Sequence, residues 1–312
     1  MKRIFLVSIT AALALGFGVI TVVAAEFSDW STPVNLGPVV NSPYDDQDTA
    51  ISKNGLSLFF SSNRHNPTDP NDLDLYVSKR DSIDAPWGPP VRLTMLSSPG
   101  MDLGPGLSLD EHRLYFVSTR PGGCGGWDLW VSRRHDRRDD FGWESPVNLG
   151  CEEDGYVNSP YDELGQTFFE DDEGRVLMYF SPTRPDPRVY NIYQSEMRDD
   201  DTFGPATPVT ELNVPRQYNL NPTVRRDGLE VIFLSSRGCP GCVRFWAATR
   251  ESTSDPWSEP VLVESLSLRK PFARITLSFD GRELYFSSKR DGGSGGADLW
   301  VTRREKLQGK KE

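Results

Sequence analysis

The sequence predicts an all-β chain folded as a five-bladed β-propeller, with the N-terminal strand around Trp30 completing the last blade. Three observations predict it. First, an aromatic followed by a Pro-Val-like segment recurs at Trp30 (WSTPVNL), Trp87 (WGPPVRL), Trp143 (WESPVNL), Phe203 (FGPATPV) and Trp257 (WSEPVLV), at spacings of 57, 56, 60 and 54 residues. Second, each copy leads through a polar loop and a turn such as SLDEHR or SFDGRE to an apolar burst (LFF, LYF, MYF, VIF, LYF). A Ser-x-x-Arg-like segment and a second burst (DLYV, DLWV, NIYQ, RFWA, DLWV) follow. Third, no segment after the first 25 residues sustains a 3.6-residue period, and short β-rich runs between Gly, Pro, Asn and Asp clusters argue for strands.

The elements follow in chain order. Lys2 and Arg3 precede an apolar run that ends near Val23, and Ala24 and Ala25 place small residues where cleavage needs them. Residues 1–25 are expected to be a secretory signal peptide; the competing reading is an uncleaved membrane anchor. No Cys follows the run, which argues against a bacterial lipid anchor, and no second long apolar run is present. The expectation is therefore an exported protein, periplasmic or secreted, monomeric, with no membrane span in the mature chain. Residues 26–305 form one propeller domain, and the charged tail, 306–312, is expected to be disordered.

The best-preserved repeat, residues 104–149, supplies the blade. A short inner strand is followed by a turn at Asp110, an alternating strand from Arg113, a Gly-rich loop, a strand from Asp128 and the closing segment from Trp143. The chain starts with a fourth-strand motif at Trp30 and ends after a third-strand motif at Asp298. Joining the two closes the ring and removes two open edges.

Formal net charge is −11, and removing Lys2 and Arg3 makes the chain more acidic still. Nucleic acid and anionic membrane surfaces demand basic patches and are excluded as partners. The acidity suits divalent cations, cationic or neutral ligands. The four cysteines sit in a chain expected to meet an oxidising compartment. Cys239 and Cys242 form a CxxC read as a local disulfide. A zinc site would need two more ligands, and the chain has only three His. Cys124 and Cys151 then pair with each other.

The run from Ser108 through Arg120 to Ser132, and its counterpart from Ser278 through Arg290 to Trp300, resemble PD40 (WD40-like) propeller repeats of the kind found in TolB-type periplasmic proteins. The resemblance covers nearly all of the mature chain, weakly in the third and fourth blades. It implies the propeller fold and is nearly silent on activity. TolB-type proteins carry an extra N-terminal domain and six blades, for which this chain has no room, so no Tol-Pal role is carried over.

Periodic residues are read as scaffold. Arg64, Arg120, Arg184, Arg237 and Arg290 follow the second strand, and Asp74, Asp128 and Asp298 open the third, so an Arg and an Asp flanking one hairpin loop are expected to pair. The aromatics Phe60, Tyr115, Phe116, Tyr179, Phe180, Phe233, Tyr285 and Phe286 are read as packing between blades.

Departures from the repeat are the better site candidates. Before each inner strand, one register gives Asp46, Asp102, Glu163, Asn219 and Phe272; a second gives Asp48, Gly104, Gly165, Asn221 and Arg274. Calcium could be held by Asp46, Asp48, Asp102, Glu163 and Asn219, since it takes 6–8 oxygens. Alternatively, two of Asp46, Asp102 and Glu163 could serve as acid and base on a glycosidic bond. A polar ligand without chemistry is a third reading, and turn capping by the same Asp and Asn residues a fourth. His65, His112 and His135 have no matched Ser or Cys motif, so nucleophilic catalysis is not expected. The leading expectation is a binding or interaction module, not an enzyme, that takes a protein or a small polar or carbohydrate ligand at Asp46, Asp48, Asp102, Glu163, Asn219, Asn221 and Arg274. The alternative is a secreted glycoside hydrolase using the paired carboxylates.

Overall fold

In the computed structural model, residues 27–151, 157–266 and 271–307 are described. The expected signal peptide lies outside them, as do residues 308–312 of the expected tail. The strand β1 (Val34–Asn35) comes first. Blade 1 holds β2 (Asp46–Ile51), β3 (Ser57–Ser62), β4 (Asp74–Lys79) and β5 (Val91–Arg92). Blade 2 holds β6 (Asp102–Leu107), β7 (Arg113–Ser118), β8 (Asp128–Arg133) and β9 (Val147–Asn148). Blade 3 holds β10 (Glu163–Glu170), β11 (Val176–Pro182), β12 (Tyr193–Glu196) and β13 (Thr207–Pro208). Blade 4 holds β14 (Asn219–Val224), β15 (Glu230–Ser235), β16 (Arg244–Thr249) and β17 (Val261–Leu262). Blade 5 holds β18 (Pro271–Leu277), β19 (Glu283–Ser288) and β20 (Asp298–Arg303). Each blade is an antiparallel four-stranded sheet, and β1 is the outer strand of blade 5. Val34 pairs with Val301 and Asn35 with Trp300, which closes the ring as expected. Phe27 also bridges Lys306, so pairing reaches one residue into the expected tail.

The repeated turn has a local cause. In blade 2 the Ser108 hydroxyl donates to Asp110 Oδ1 at 2.5 Å and accepts the Arg113 N–H at 3.0 Å. In blade 5 Ser278 bonds Asp280 at 2.6 Å and accepts from Glu283 N at 2.9 Å. A Ser and an Asp two residues apart thus lock the hairpin before any tertiary contact forms.

Among the described residues the core forms five clusters, each between neighbouring blades. Leu58, Phe60 and Tyr76 of blade 1 meet Tyr285, Leu299 and Val301 of blade 5, so the seam between the chain ends is packed like the others. The repeat's Trp residues have a second use. Arg80, Arg134, Arg250 and Arg304 lie 4.4, 4.4, 4.2 and 4.4 Å from the rings of Trp87, Trp143, Trp257 and Trp30. Each of these guanidinium groups also bonds a carbonyl of the hairpin turn in its own blade, as Arg134 Nε does with Glu111 O at 2.8 Å. The outer strand, the third strand and the inner turn are tied by one side chain.

Both expected disulfides form, Cys124–Cys151 and Cys239–Cys242. Cys124 lies in the loop after β7 and Cys239 in the loop after β15, on the same axial face as the starts of the inner strands. For the short Cys239–Cys242 loop, the chain-entropy account gives a stabilisation of about 2 kcal/mol. Cys239→Ser/Cys242→Ser is expected to lower urea-unfolding stability by that amount; an unchanged midpoint would show that the bridge constrains nothing.

Candidate functional site

The first expected ring is scaffold. Asp46 is fully buried and accepts bonds from Ser42 N at 2.5 Å, Ser42 Oγ at 2.9 Å and Arg64 Nη2 at 2.5 Å. Asp102 does the same with Ser98 N, Ser98 Oγ, Ser118 Oγ and Arg120 Nη2, at 2.5, 2.8, 2.6 and 2.6 Å. Asn219 Oδ1 accepts from Ser235 Oγ at 2.9 Å and Arg237 Nη2 at 3.0 Å. The arginines of this device lie between two aromatic rings in every blade, Arg120 between Phe116 and Trp130, for example. In blades 1, 2 and 4 the arginine therefore pairs with the inner strand, not with the residue that opens the third strand. Asp74 instead pairs with Arg92 at 2.7 Å, and Asp128 accepts the Cys124 N–H at 2.8 Å. Asp46 and Asp102 accept backbone N–H groups, as the capping reading expects, whereas Asn219 Oδ1 accepts from side chains.

Glu163 is the exception within the device. Its bonds come from Ser159 N at 3.2 Å and from the Ser159 hydroxyl. Across the sheet stands Pro182, where the equivalent positions of the other blades are Ser62, Ser118, Ser235 and Ser288. Arg184 Nε, whose counterparts in blades 1, 2 and 4 bond that serine, has no partner among the described residues. Burial pushes the Glu163 carboxyl up to about 8, with Ser159 and the more distant Arg184 charge opposing only in part. Burial likewise raises Asp102 above its ordinary value, against the Arg120 charge.

The second register is set by backbone conformation. Asp48, Gly104, Gly165 and Asn221 have φ of 53, 63, 70 and 52°, in the left-handed region that Gly, Asn and Asp tolerate best. They sit at a β-bulge in each inner strand. Blade 5 departs from this. Phe272 pairs with Ser287 and Ile275 with Phe286, so its bulge holds two unmatched residues where Asp48 stands alone in blade 1. Pro271, not Phe272, therefore stands opposite Ser288 in the ring position, and Arg274 is brought onto the axis. Arg274 Nη1 donates to Gly104 O at 2.7 Å and to Pro105 O, and Nη2 donates to Gln166 O. Its own N–H donates to Asp48 Oδ1 at 2.7 Å. Burial lowers the Arg274 guanidinium to about 10, and burial raises the Asp48 carboxyl, opposed by the Arg274 N–H and charge. A Cβ on Gly106 would stand 2.7 Å from Arg274 Nη2, so glycine there makes room for the guanidinium.

Above Arg274 lies a cavity of 480 Å³ at the mouth of the central channel. Leu103, Leu164 and Leu220 form a collar with Gln47; Asp48 and Asn221 lie one residue deeper; Asp45, Asn63, Trp127 and Tyr190 line the outer part. Gln47 is 8% exposed, and its Oε1 has no hydrogen-bond partner among the described residues. Asp45 Oδ1 accepts the Ala297 N–H at 2.7 Å and faces Lys289 Nζ at 3.3 Å. Tyr190 and Tyr218 stack at a tilt, ring centres 6.2 Å apart. Of the expected site residues, Asp48, Asn221 and Arg274 meet at this cavity. Asp46, Asp102, Glu163 and Asn219 do not line it. Among the described residues no group of three or more His, Cys, Asp or Glu is placed to hold a metal ion. Asp45, Gln47, Trp127 and Tyr190 do not stand out in the repeat comparison. The visible signal is Trp127 itself: the matching position of blade 5, in the same Gly-Gly-x-Asp-Leu-Trp motif, is Ala297.

No protein-family model and no curated protein matches the chain in sequence. Solved structures do resemble it. The catalytic domain of a Coprinopsis cinerea GH62 α-L-arabinofuranosidase superposes with a TM-score of 0.58 at 15% identity, over 88% of this chain and 96% of that one. An α-L-arabinofuranosidase from Lactobacillus brevis gives 0.54 at 15% identity, over 85% and 91%. An endo-arabinase from Bacteroides thetaiotaomicron gives 0.51 at 15% identity, over 92% and 99%. At such identity the likeness is one of fold. It corrects the PD40 and TolB resemblance: the residues that carried it, Ser118, Arg120, Asp128 and Trp130, are those that hold a blade together, and such a device marks a blade, not a function. The binding-module expectation gives way as well. Four of its seven residues do not line the cavity, and the similar structures include α-L-arabinofuranosidases.

Proposed function

We propose that the protein is a carbohydrate-active propeller of the glycoside-hydrolase kind, with the mouth cavity as its sugar site. The observation that carries this reading is the cavity's composition. Leucine and aromatic walls enclose a carboxyl, Asp48, and an amide oxygen, Gln47 Oε1, that lacks a partner among the described residues. Walls of this kind suit the C–H faces of a sugar, and a few convergent polar groups suit its hydroxyls. Two of the similar structures are α-L-arabinofuranosidases, which supports the same class of substrate.

Hydrolysis of a glycosidic bond needs one carboxyl that holds its proton and a second that activates water. Burial favours the protonated form of Asp48, which suits it to protonate the leaving oxygen. Asp45, on the outer part of the wall and one-third exposed, is the carboxylate that would take the proton of the attacking water. The test is release of reducing sugar from arabinan, arabinoxylan and xylan. Wild type is expected to release sugar, and Asp48→Asn and Asp45→Asn to lose activity by about 100-fold or more. Asn is the native residue at the matching bulge position of blade 4, so Asp48→Asn keeps a backbone the fold accepts. No turnover by wild type on any of these polymers, or full activity in both variants, would overturn the reading.

A further inference from the structure

We propose that the end of the axial channel opposite the mouth is a separate binding site for a compact oxyanion of the phosphate or sulfate kind. Residues that follow the bulge of each inner strand, such as Ala50 in blade 1 and Thr223 in blade 4, line a second cavity of 110 Å³. Arg274 lines both this cavity and the floor of the mouth cavity, so the two lie on opposite sides of it along the axis. The volume holds a few water molecules or one small ion, and all five blades contribute to its wall.

What the wall offers is hydrogen-bond donors that lack acceptors. Arg274 is 5% exposed, and its Nε has no partner among the described residues. The buried Thr223 hydroxyl accepts the Leu277 N–H at 3.0 Å, and the Thr167 hydroxyl accepts the Val224 N–H at 3.5 Å. Each oxygen thus takes a backbone hydrogen, while its own hydrogen finds no acceptor among the described residues. At the outer end, Lys53 Nζ and the Arg226 guanidinium lie 4.6 and 4.0 Å from the centre of the Phe279 ring. Neither makes an ion pair among the described residues.

The acidic groups nearby are engaged elsewhere. Glu111, the one carboxylate in the wall, accepts the Lys53 backbone N–H at 2.6 Å. Asp227 bonds Arg225, and Asp280 accepts the Ser278 hydroxyl. Three cations therefore stand against one carboxylate, in a chain whose net charge is −11. Two of them share one ring, and their repulsion is unrelieved by any carboxylate of their own. An anion between them turns that repulsion into attraction and gives Arg274 Nε and the two hydroxyls their acceptors. An oxyanion with several oxygens suits this set, because guanidinium and hydroxyl donors from different blades each take a different oxygen.

The test is calorimetric titration of the protein with sodium sulfate and with inorganic phosphate, at an ionic strength held constant with sodium chloride. Saturable one-to-one binding is expected in wild type. It should weaken at least about tenfold in Lys53→Gln/Arg226→Gln, which removes two charge-assisted contacts. Both replaced side chains are exposed, and circular dichroism checks that the double variant folds; Arg226→Gln alone carries the comparison if it does not. Heat that does not saturate, or that chloride alone reproduces, overturns the proposal. Binding that the variant retains in full overturns it as well, because the anion then sits elsewhere. Neither result depends on whether the mouth hydrolyses sugar.

Discussion

Arg274→Met is expected to cost the fold about 3–5 kcal/mol, the range found when one member of a buried charged set is removed and the rest left in place. Methionine keeps roughly the length of the side chain and supplies no donor. The carbonyls of Pro105 and Gln166 then face an apolar side chain, while Gly104 O keeps the amide of Gln166, which donates to it at 2.7 Å. Asp48 keeps the backbone N–H but loses the nearby positive charge. Arg274→Lys is expected to recover only part of the loss, because an ammonium on a flexible stem does not reproduce the planar fork that spans two blades. The sign of the pH dependence follows from Asp48. Burial already raises its carboxyl, opposed by the Arg274 N–H, the Arg274 charge and the Gly104 N–H, and of these the substitution removes the charge. Without that charge the folded-state value rises further. Such a group destabilises the fold increasingly as pH climbs from its unfolded value through its folded one. Urea unfolding at pH 5 and pH 8 should therefore give a larger deficit at pH 8. A total loss under about 1 kcal/mol, the worth of one ordinary hydrogen bond, would show that the channel floor does not depend on the guanidinium.

The same residue shows how much of the site the sequence carries. Arg274 stands out in the sequence because a cation at a position otherwise filled by Asp, Gly, Gly and Asn breaks the repeat. The structure places it on the axis for a further reason that no residue type announces: the two-residue bulge of β18. That bulge also moves the blade-5 counterpart of Asp46 from Phe272 to Pro271. Asp46 and Asp48 illustrate a second limit. Both are acidic and two residues apart, yet one turns sideways onto Arg64 and the other lies at the channel, because the bulge interrupts the strict alternation of faces along a strand. The fold, by contrast, is legible almost in full. The Trp-Pro segments, the Ser-x-Asp turns and the apolar bursts each have one local job, repeated in most blades. The ends of the chain differ by one strand, and β1 beside β20 supplies it. The motifs legible in the sequence are thus mostly those that build blades, which is why they mislead when read as a mark of the PD40 family. The cavity wall depends on residues such as Trp127 and Tyr190 that occur once.

Glu163→Gln is expected to stabilise the protein at neutral and alkaline pH, the opposite of what removing a buried ion-pair partner usually does. In blades 1, 2 and 4 the equivalent Asp or Asn is served by an arginine. In blade 3 the serine of the device is replaced by Pro182, Glu163 is bonded by Ser159 alone among the described residues, and its carboxyl is pushed from its ordinary 4.5 to about 8. Between about pH 4.5 and 8 the folded state therefore holds a proton here that the unfolded chain has already released. Across that window the unfolded state binds fewer protons, so wild-type stability falls as pH rises. Glutamine mimics the protonated acid and cannot ionise, so its stability lacks this slope. Each pH unit across that window is worth about 1.4 kcal/mol, so the gap in favour of the variant should grow from near zero below pH 4.5 to on the order of 3–5 kcal/mol at pH 8.5. Urea unfolding of both proteins across that range measures it. A gap that does not change with pH would mean that Glu163 ionises in the fold as easily as in the unfolded chain. Pro182→Ser tests the cause: restoring the hydroxyl that the other blades possess gives Glu163 a donor and Arg184 Nε an acceptor. The wild-type slope should then flatten even though the carboxyl itself is unchanged.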